Sequence, residues 1–157
     1  MGTAVKRLEE LMEMAKANLR RDGYLVPALF VEAREPLLMG LRELPATSEG
    51  RRAMCYAIGH QLAPRRPRKV LSILDAYMRT GGELPLQRSL ADDPAAEECI
   101  VVAAMDRRGK QAVLICPYVR TPRLEGTEFE FREPLDGFDG AEVYLLAAFW
   151  DGVASGR

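Results

Sequence analysis

Residues 98–120 read ECIVVAAMDRRGKQAVLICPYVR, two apolar runs joined by a short charged turn that contains one glycine. That is the pattern of a β-hairpin. With Gly109 in the left-handed position that ends a three-residue loop (Arg107, Arg108, Gly109), Asp106 faces Lys110. The pairing then sets Ala104 opposite Ala112, Val102 opposite Leu114 and Ile100 opposite Cys116 on one face. The other face carries Val101, Ala103 and Met105 against Val113, Ile115 and Pro117. Both faces are apolar, whereas a sheet with one wet side alternates apolar with polar residues. The hairpin is therefore expected to be covered on both sides, with every other element its neighbour or its lid.

The chain around it has 157 residues, which fits one domain with enough length for a proper core. Hydrophobic residues make up 48% and charged residues 29%, the balance of an ordinary soluble globular protein. A net charge of -1 gives no global field favouring nucleic acid or an anionic membrane. No apolar run approaches the roughly 20 residues of a membrane span, and the N-terminal stretch is charged and helix-like, without the apolar core of a secretion signal. Cys55, Cys99 and Cys116 are an odd, sparse set. In the hairpin register Cys99 and Cys116 point to opposite faces, so buried reduced thiols in a cytoplasmic protein are the expectation.

Outward from the hairpin, Leu8, Leu11, Met12, Ala15 and Leu19 recur at helical spacing with Val5 and predict a helix over 4–21, ended by Asp22-Gly23. Residues 24–33 read as a strand, Arg34-Glu35-Pro36 as a turn, and residues 37–41 as a short strand pairing back. Thr47 or Ser48 caps a helix that runs to about Ala63, where Pro64 and Pro67 close it. On that helix Arg52, Tyr56 and His60 share a face that looks to solvent. Residues 68–80 (RKVLSILDAYMRT) fit either a helix or a buried strand, and strand is preferred. Residues 80–97 form a long polar connection. Alternation of Phe129 and Phe131 with Glu128, Glu130 and Arg132 predicts an edge strand over 127–132. Residues 136–140 read as a loop, and 141–153 as a closing helix.

The succession of LDAYMR, a loop containing ADDPAAEECIVV and then a hairpin resembles a loose group of small uncharacterised bacterial and phage α/β proteins. The matching positions are Asp75, Tyr77, Met78, Asp93, Pro94 and Glu98, within a likeness that spans roughly residues 5–120. The resemblance implies a strand at 69–79 and brings no activity with it.

Three groups of residues have the composition for chemistry. Asp92, Asp93, Glu97 and Glu98, with Asp75, are the best acidic candidates, because hard cations need several convergent carboxylate oxygens. The plain alternative is a capped turn with solvated glutamates. Arg65, Arg66 and Arg68, with Lys69 beside them and Arg51 and Arg52 at the far end of the helix, are the densest basic feature. Arginine forks suit phosphate oxygens, although no aromatics interleave them and a solvated loop is the plain account. His60 is the one histidine. It lies five residues from Cys55, about 140° around a helix, so the two do not converge within it. Zinc-hydrolase and Ser-His-Asp patterns are missing, as are glycine-rich phosphate loops.

The sequence thus predicts one α/β domain of the α+β type, a mainly antiparallel sheet of about five strands with helices on both faces. No motif specifies an activity and no cofactor is implied. Tyr24, Tyr56, Tyr118, Phe138 and Trp150 exceed what one short hairpin can bury, and a closing helix with two apolar faces could pack against a second copy. The favoured expectation is a cytoplasmic, non-enzymatic interaction module that self-associates as a dimer and meets an unidentified protein partner, away from membranes. Its alternatives are a metal-dependent hydrolase or nuclease using Asp75, Asp93 and Glu98, and nucleic-acid backbone binding through Arg65, Arg66 and Arg68.

Overall fold

A computed structural model describes residues 2–41, 43–78, 97–136 and 141–156. In chain order these are α1 (Gly2–Asp22), β1 (Ala28–Glu32), β2 (Leu37–Gly40), α2 (Ser48–Leu62) with a 3₁₀ turn at Ala63–Arg65, β3 (Lys69–Met78), β4 (Glu97–Asp106), β5 (Gln111–Arg123), β6 (Gly126–Phe131), β7 (Leu135–Asp136) and α3 (Ala141–Ser155). The fold is α+β. Its antiparallel sheet runs β2-β1-β3-β4-β5-β6, and β7 adds a two-residue pairing to β5. This is the mainly antiparallel sheet expected from the sequence, and β7 is the one strand added to those read there.

The β4–β5 hairpin has the register read from its sequence. Ala104 lies opposite Ala112, Val102 opposite Leu114 and Ile100 opposite Cys116. Asp106 organises the turn: its Oδ1 accepts from the backbone N–H groups of Arg108 and Lys110, both at 2.9 Å. Gly109 takes φ +85°, where a side chain would be strained.

β3 settles the ambiguous stretch as a strand. Positions 70–74 are all buried, with Val70 and Leu74 on one face and Leu71 and Ile73 on the other. A helix with one packed stripe would bury only part of such a run, whereas a central strand buries all of it. β3 sits between β1 and β4 and pairs with β4 along its whole length, from Lys69↔Asp106 to Met78↔Glu97.

Helices cover both faces. α1 lays Leu8, Met12, Ala15 and Leu19 on Leu71, Ile100, Val102, Cys116 and Tyr118. α2 and α3 cover the other face, where Cys55, Leu62, Leu146, Phe149 and Val153 pack with Val70, Val101, Ala103 and Ile115. Thr47 caps α2, its hydroxyl accepting from Gly50 N–H at 3.0 Å. α2 and α3 approach almost backbone to backbone: a methyl added at Gly59 would overlap the Phe149 carbonyl, and one at Gly152 the Tyr56 carbonyl.

Three expectations need correction. The strand read over 24–33 begins only at Ala28, since Pro27 has no N–H to offer a ladder, although its carbonyl accepts from Leu41 at 2.7 Å. Asp136, read as the start of a loop, belongs to β7; residues 137–140 and the connection at 80–96 lie outside the described residues. Two of the aromatics read as surplus are used internally. Tyr118 is buried, and Trp150 Nε1 donates to the Met105 carbonyl at 3.1 Å. Tyr24 and Tyr56 are exposed, and Phe138 lies outside the described residues.

Candidate functional site

Antiparallel order places the end of β1, the start of β3 and the end of β4 at the same end of the sheet. Three connections meet there: the β1–β2 turn, the α2–β3 loop and the β4–β5 turn. Backbone bonds lock them together, with Arg68 N donating to the Glu32 carbonyl at 2.7 Å and Arg107 N to the Arg68 carbonyl at 3.3 Å. The result is a cleft of about 830 Å³ lined by Arg34, Glu35, Pro64, Arg65, Arg66 and Arg68. A second cavity of about 520 Å³ adjoins it, lined by Ala63, Pro64, Arg66, Pro67, Arg107 and Gly156. Arg66 and Pro64 line both.

Among its described lining residues, four arginines against one glutamate concentrate positive charge in the first cleft. Glu35 stands 3.9 Å from Arg65, the outer limit of an ion pair between two exposed groups. Such a contact offsets little of the charge. Arg68 reaches the Ala33 carbonyl at 3.4 Å. Among the described residues the guanidinium groups of Arg34 and Arg66 have no carboxylate partner.

Arg66 is also held in a costly conformation. Pro64 and buried Pro67 bracket it, and the 3₁₀ turn closes with Arg66 N donating to the Ala63 carbonyl at 3.0 Å. Its φ of +52° makes it the one non-glycine residue at positive φ among the described residues. A side chain there costs roughly 1–2 kcal/mol relative to ordinary backbone. Arginine has no local means to relieve that strain, so its presence directs attention to what its guanidinium can reach.

Of the acidic candidates, Asp75 and Glu98 lie towards the opposite end of β3, roughly 20 Å away at about 3.3 Å per residue. Asp75 is aligned with Ile100, and Tyr77 with Glu98, so the two carboxylates are diagonal neighbours on one sheet face. Glu98 is already engaged: Arg120 Nε and Nη2 donate to its carboxylate at 3.2 and 3.4 Å, while Arg120 Nη1 donates to the Gly23 carbonyl at 2.9 Å, fastening the end of α1 to the sheet. Burial pushes the neighbouring Tyr118 hydroxyl up to about 12, with the Glu98 charge adding to the rise. Asp75 is raised above 3.8, first by desolvation and further by Glu98, with its own backbone N–H and Arg120 opposing. Asp93, with Asp92, lies outside the described residues. Among the described residues no three His, Cys, Asp or Glu side chains are placed to hold a metal ion.

Cys55 and His60 are not brought together. Cys55 is buried, and burial alone raises it to about 11, so it stays protonated near neutral pH. His60 faces away and its Nδ1 meets Ser155 Oγ at 2.9 Å. Arg51, part of the basic feature in the sequence, turns instead to the Pro45 carbonyl at 2.7 Å.

Sequence spacing found Arg65, Arg66 and Arg68 but missed Arg34 and Arg107. Both sit in turns, Arg34-Glu35-Pro36 and Asp106 to Gly109, and only the order β1-β3-β4 brings those turns beside residues 64–68. No protein-family model, no curated protein and no solved structure matches this chain. Among the described residues, no helix is long and apolar enough to cross a membrane.

Proposed function

We propose that this protein is a non-enzymatic interaction module that grips the phosphate backbone of a nucleic acid in the arginine cleft. The observation that carries the reading is the convergence of Arg34, from the β1–β2 turn, with Arg65, Arg66 and Arg68, from the α2–β3 loop, with one glutamate among the described lining residues. Guanidinium forks match phosphate oxygens in geometry as well as charge. Among its described lining residues the cleft has no aromatic side chain for bases to stack on, so the expected binding is insensitive to sequence. Three buried cysteines, with no disulfide among the described residues, fit a reducing, cytoplasmic setting.

Fluorescence anisotropy with a short labelled single strand, titrated over a range of NaCl concentrations, tests this. Affinity should fall with salt at a slope of about −0.7 per phosphate engaged, and Arg65→Ala with Arg68→Ala should reduce both affinity and slope. Absent binding, or binding indifferent to salt and to the substitutions, rejects the reading.

Self-association is the second reading, carried by the β2 edge. Leu38 there is 62% exposed on a terminal strand whose outer side is unpaired among the described residues. The closing helix offers less than its sequence suggests, since its apolar residues pack on both α2 and the sheet. A dimer built on β2 should dissociate in Leu38→Lys, as read by analytical ultracentrifugation; a monomeric parent protein at micromolar concentration removes this reading.

A further inference from the structure

We infer that the cleft takes two linked anionic groups at once, one in each of its lobes, with Arg66 as the bridge between them; this rests on the phosphate-binding reading above. The two cavities share Arg66 and Pro64 as lining residues. The larger carries Arg34, Arg65 and Arg68, while the smaller carries Arg107 between the apolar walls of Ala63, Pro64 and Pro67. Each lobe therefore has its own arginine supply, and a single anion would leave one of them unused.

The placement of each lobe is built rather than incidental. Arg107 belongs to the turn that Asp106 organises, and its own N–H is bonded to the Arg68 carbonyl, so the second lobe is fixed relative to the first. Arg66 stands between them at positive φ, where glycine is the unstrained residue. Turning the chain at this point needs no side chain. A residue kept there against backbone preference, with no carboxylate partner among the described residues, is placed to serve both cavities.

The ligand class that follows is a diphosphate or a pair of consecutive phosphodiesters, which share two anionic phosphorus centres joined through a short link. Isothermal titration with inorganic phosphate, pyrophosphate and a 5′-phosphorylated dinucleotide separates the cases. Pyrophosphate is expected to bind roughly tenfold or more tighter than phosphate. Arg107→Ala and Arg66→Gly should each collapse that preference towards equality, whereas Arg123→Ala, on the far side of the sheet, should keep it. Arg66→Gly also guards against misfolding, because glycine relieves the positive φ and its melting temperature should equal or exceed that of the parent.

A dinucleotide that binds tighter than pyrophosphate identifies the phosphodiester form, and the reverse order identifies the diphosphate. Equal affinities for phosphate and pyrophosphate, or a preference that survives either substitution, overturn the two-lobe inference while leaving phosphate binding standing. Failure of all three probes to bind overturns both.

Discussion

Asp75 shows how one residue's surroundings reach a measurable stability. Partial desolvation is the main cause of its raised pKa, and the like charge of Glu98 adds to it. The folded chain therefore holds this proton more tightly than the unfolded chain. Its contribution to stability is full below about pH 3.8 and is lost as pH rises through the raised folded value. Asp75→Asn is expected to melt above the parent at pH 7, and the gain should vanish in acid below the ordinary carboxylate range. The gain should be small, since the side chain is exposed. A lower melting temperature at pH 7 would mean that an attractive partner holds the carboxylate. Ser72 is a second residue of this kind. It is buried in β3 and its hydroxyl has no partner among the described residues. Ser72→Ala should stabilise by up to about 1 kcal/mol in denaturant unfolding at unchanged m, and a clear loss would reveal a hydrogen bond at that hydroxyl.

Between elements, the tightest constraint is the crossing of α2 and α3. Gly59 and Gly152 each face a backbone carbonyl of the opposite helix, with no room for a methyl group. Alanine would raise helix propensity by about 1 kcal/mol at an exposed helical site. Here the overlap should win, costing roughly 1–3 kcal/mol or more for Gly59→Ala or Gly152→Ala. The double variant should cost less than the sum, because one methyl already pushes the helices apart. Additive or neutral effects by thermal denaturation would show that the crossing is looser. The hairpin could be read from sequence because its register depends on local facts, one turn glycine and period-two side chains. β3 could be assigned once both its faces proved apolar. The helix crossing was missed although α3 carries Gly152 and Gly156 follows its end, because a helical glycine reveals close approach only when its neighbour is known. The cleft was half legible for the same reason: Arg65, Arg66 and Arg68 are local, whereas Arg34 and Arg107 join them through strand order.

At the scale of the molecule, the sheet separates two cores, one under α1 and the other under α2 and α3, with β3 and β4 shared by both. The three cysteines sample both sides: Cys55 and Cys99 lie in the α2–α3 core, and Cys116 in the α1 core. Cys116 sits under α1 itself, close enough for the charges of Glu13 and Lys16 to act on its thiol, and Sγ reaches the Arg132 carbonyl at 3.3 Å. A helix that packs on one face and has no strand beyond it can open without dismantling the sheet. Thiol labelling with an aromatic disulfide reagent under native conditions should therefore be slow at all three sites, with the release of thionitrobenzoate resolved by mass mapping. Met12→Ala removes a side chain that is 1% exposed beneath α1 and should cost about 2–5 kcal/mol. Its effect on labelling should be unequal: Cys116 should accelerate most, because its cover has been weakened, while Cys55 and Cys99 remain protected by α2 and α3. Equal acceleration of all three would show that the two cores open together and that β3 and β4 transmit the loss of α1 through the sheet.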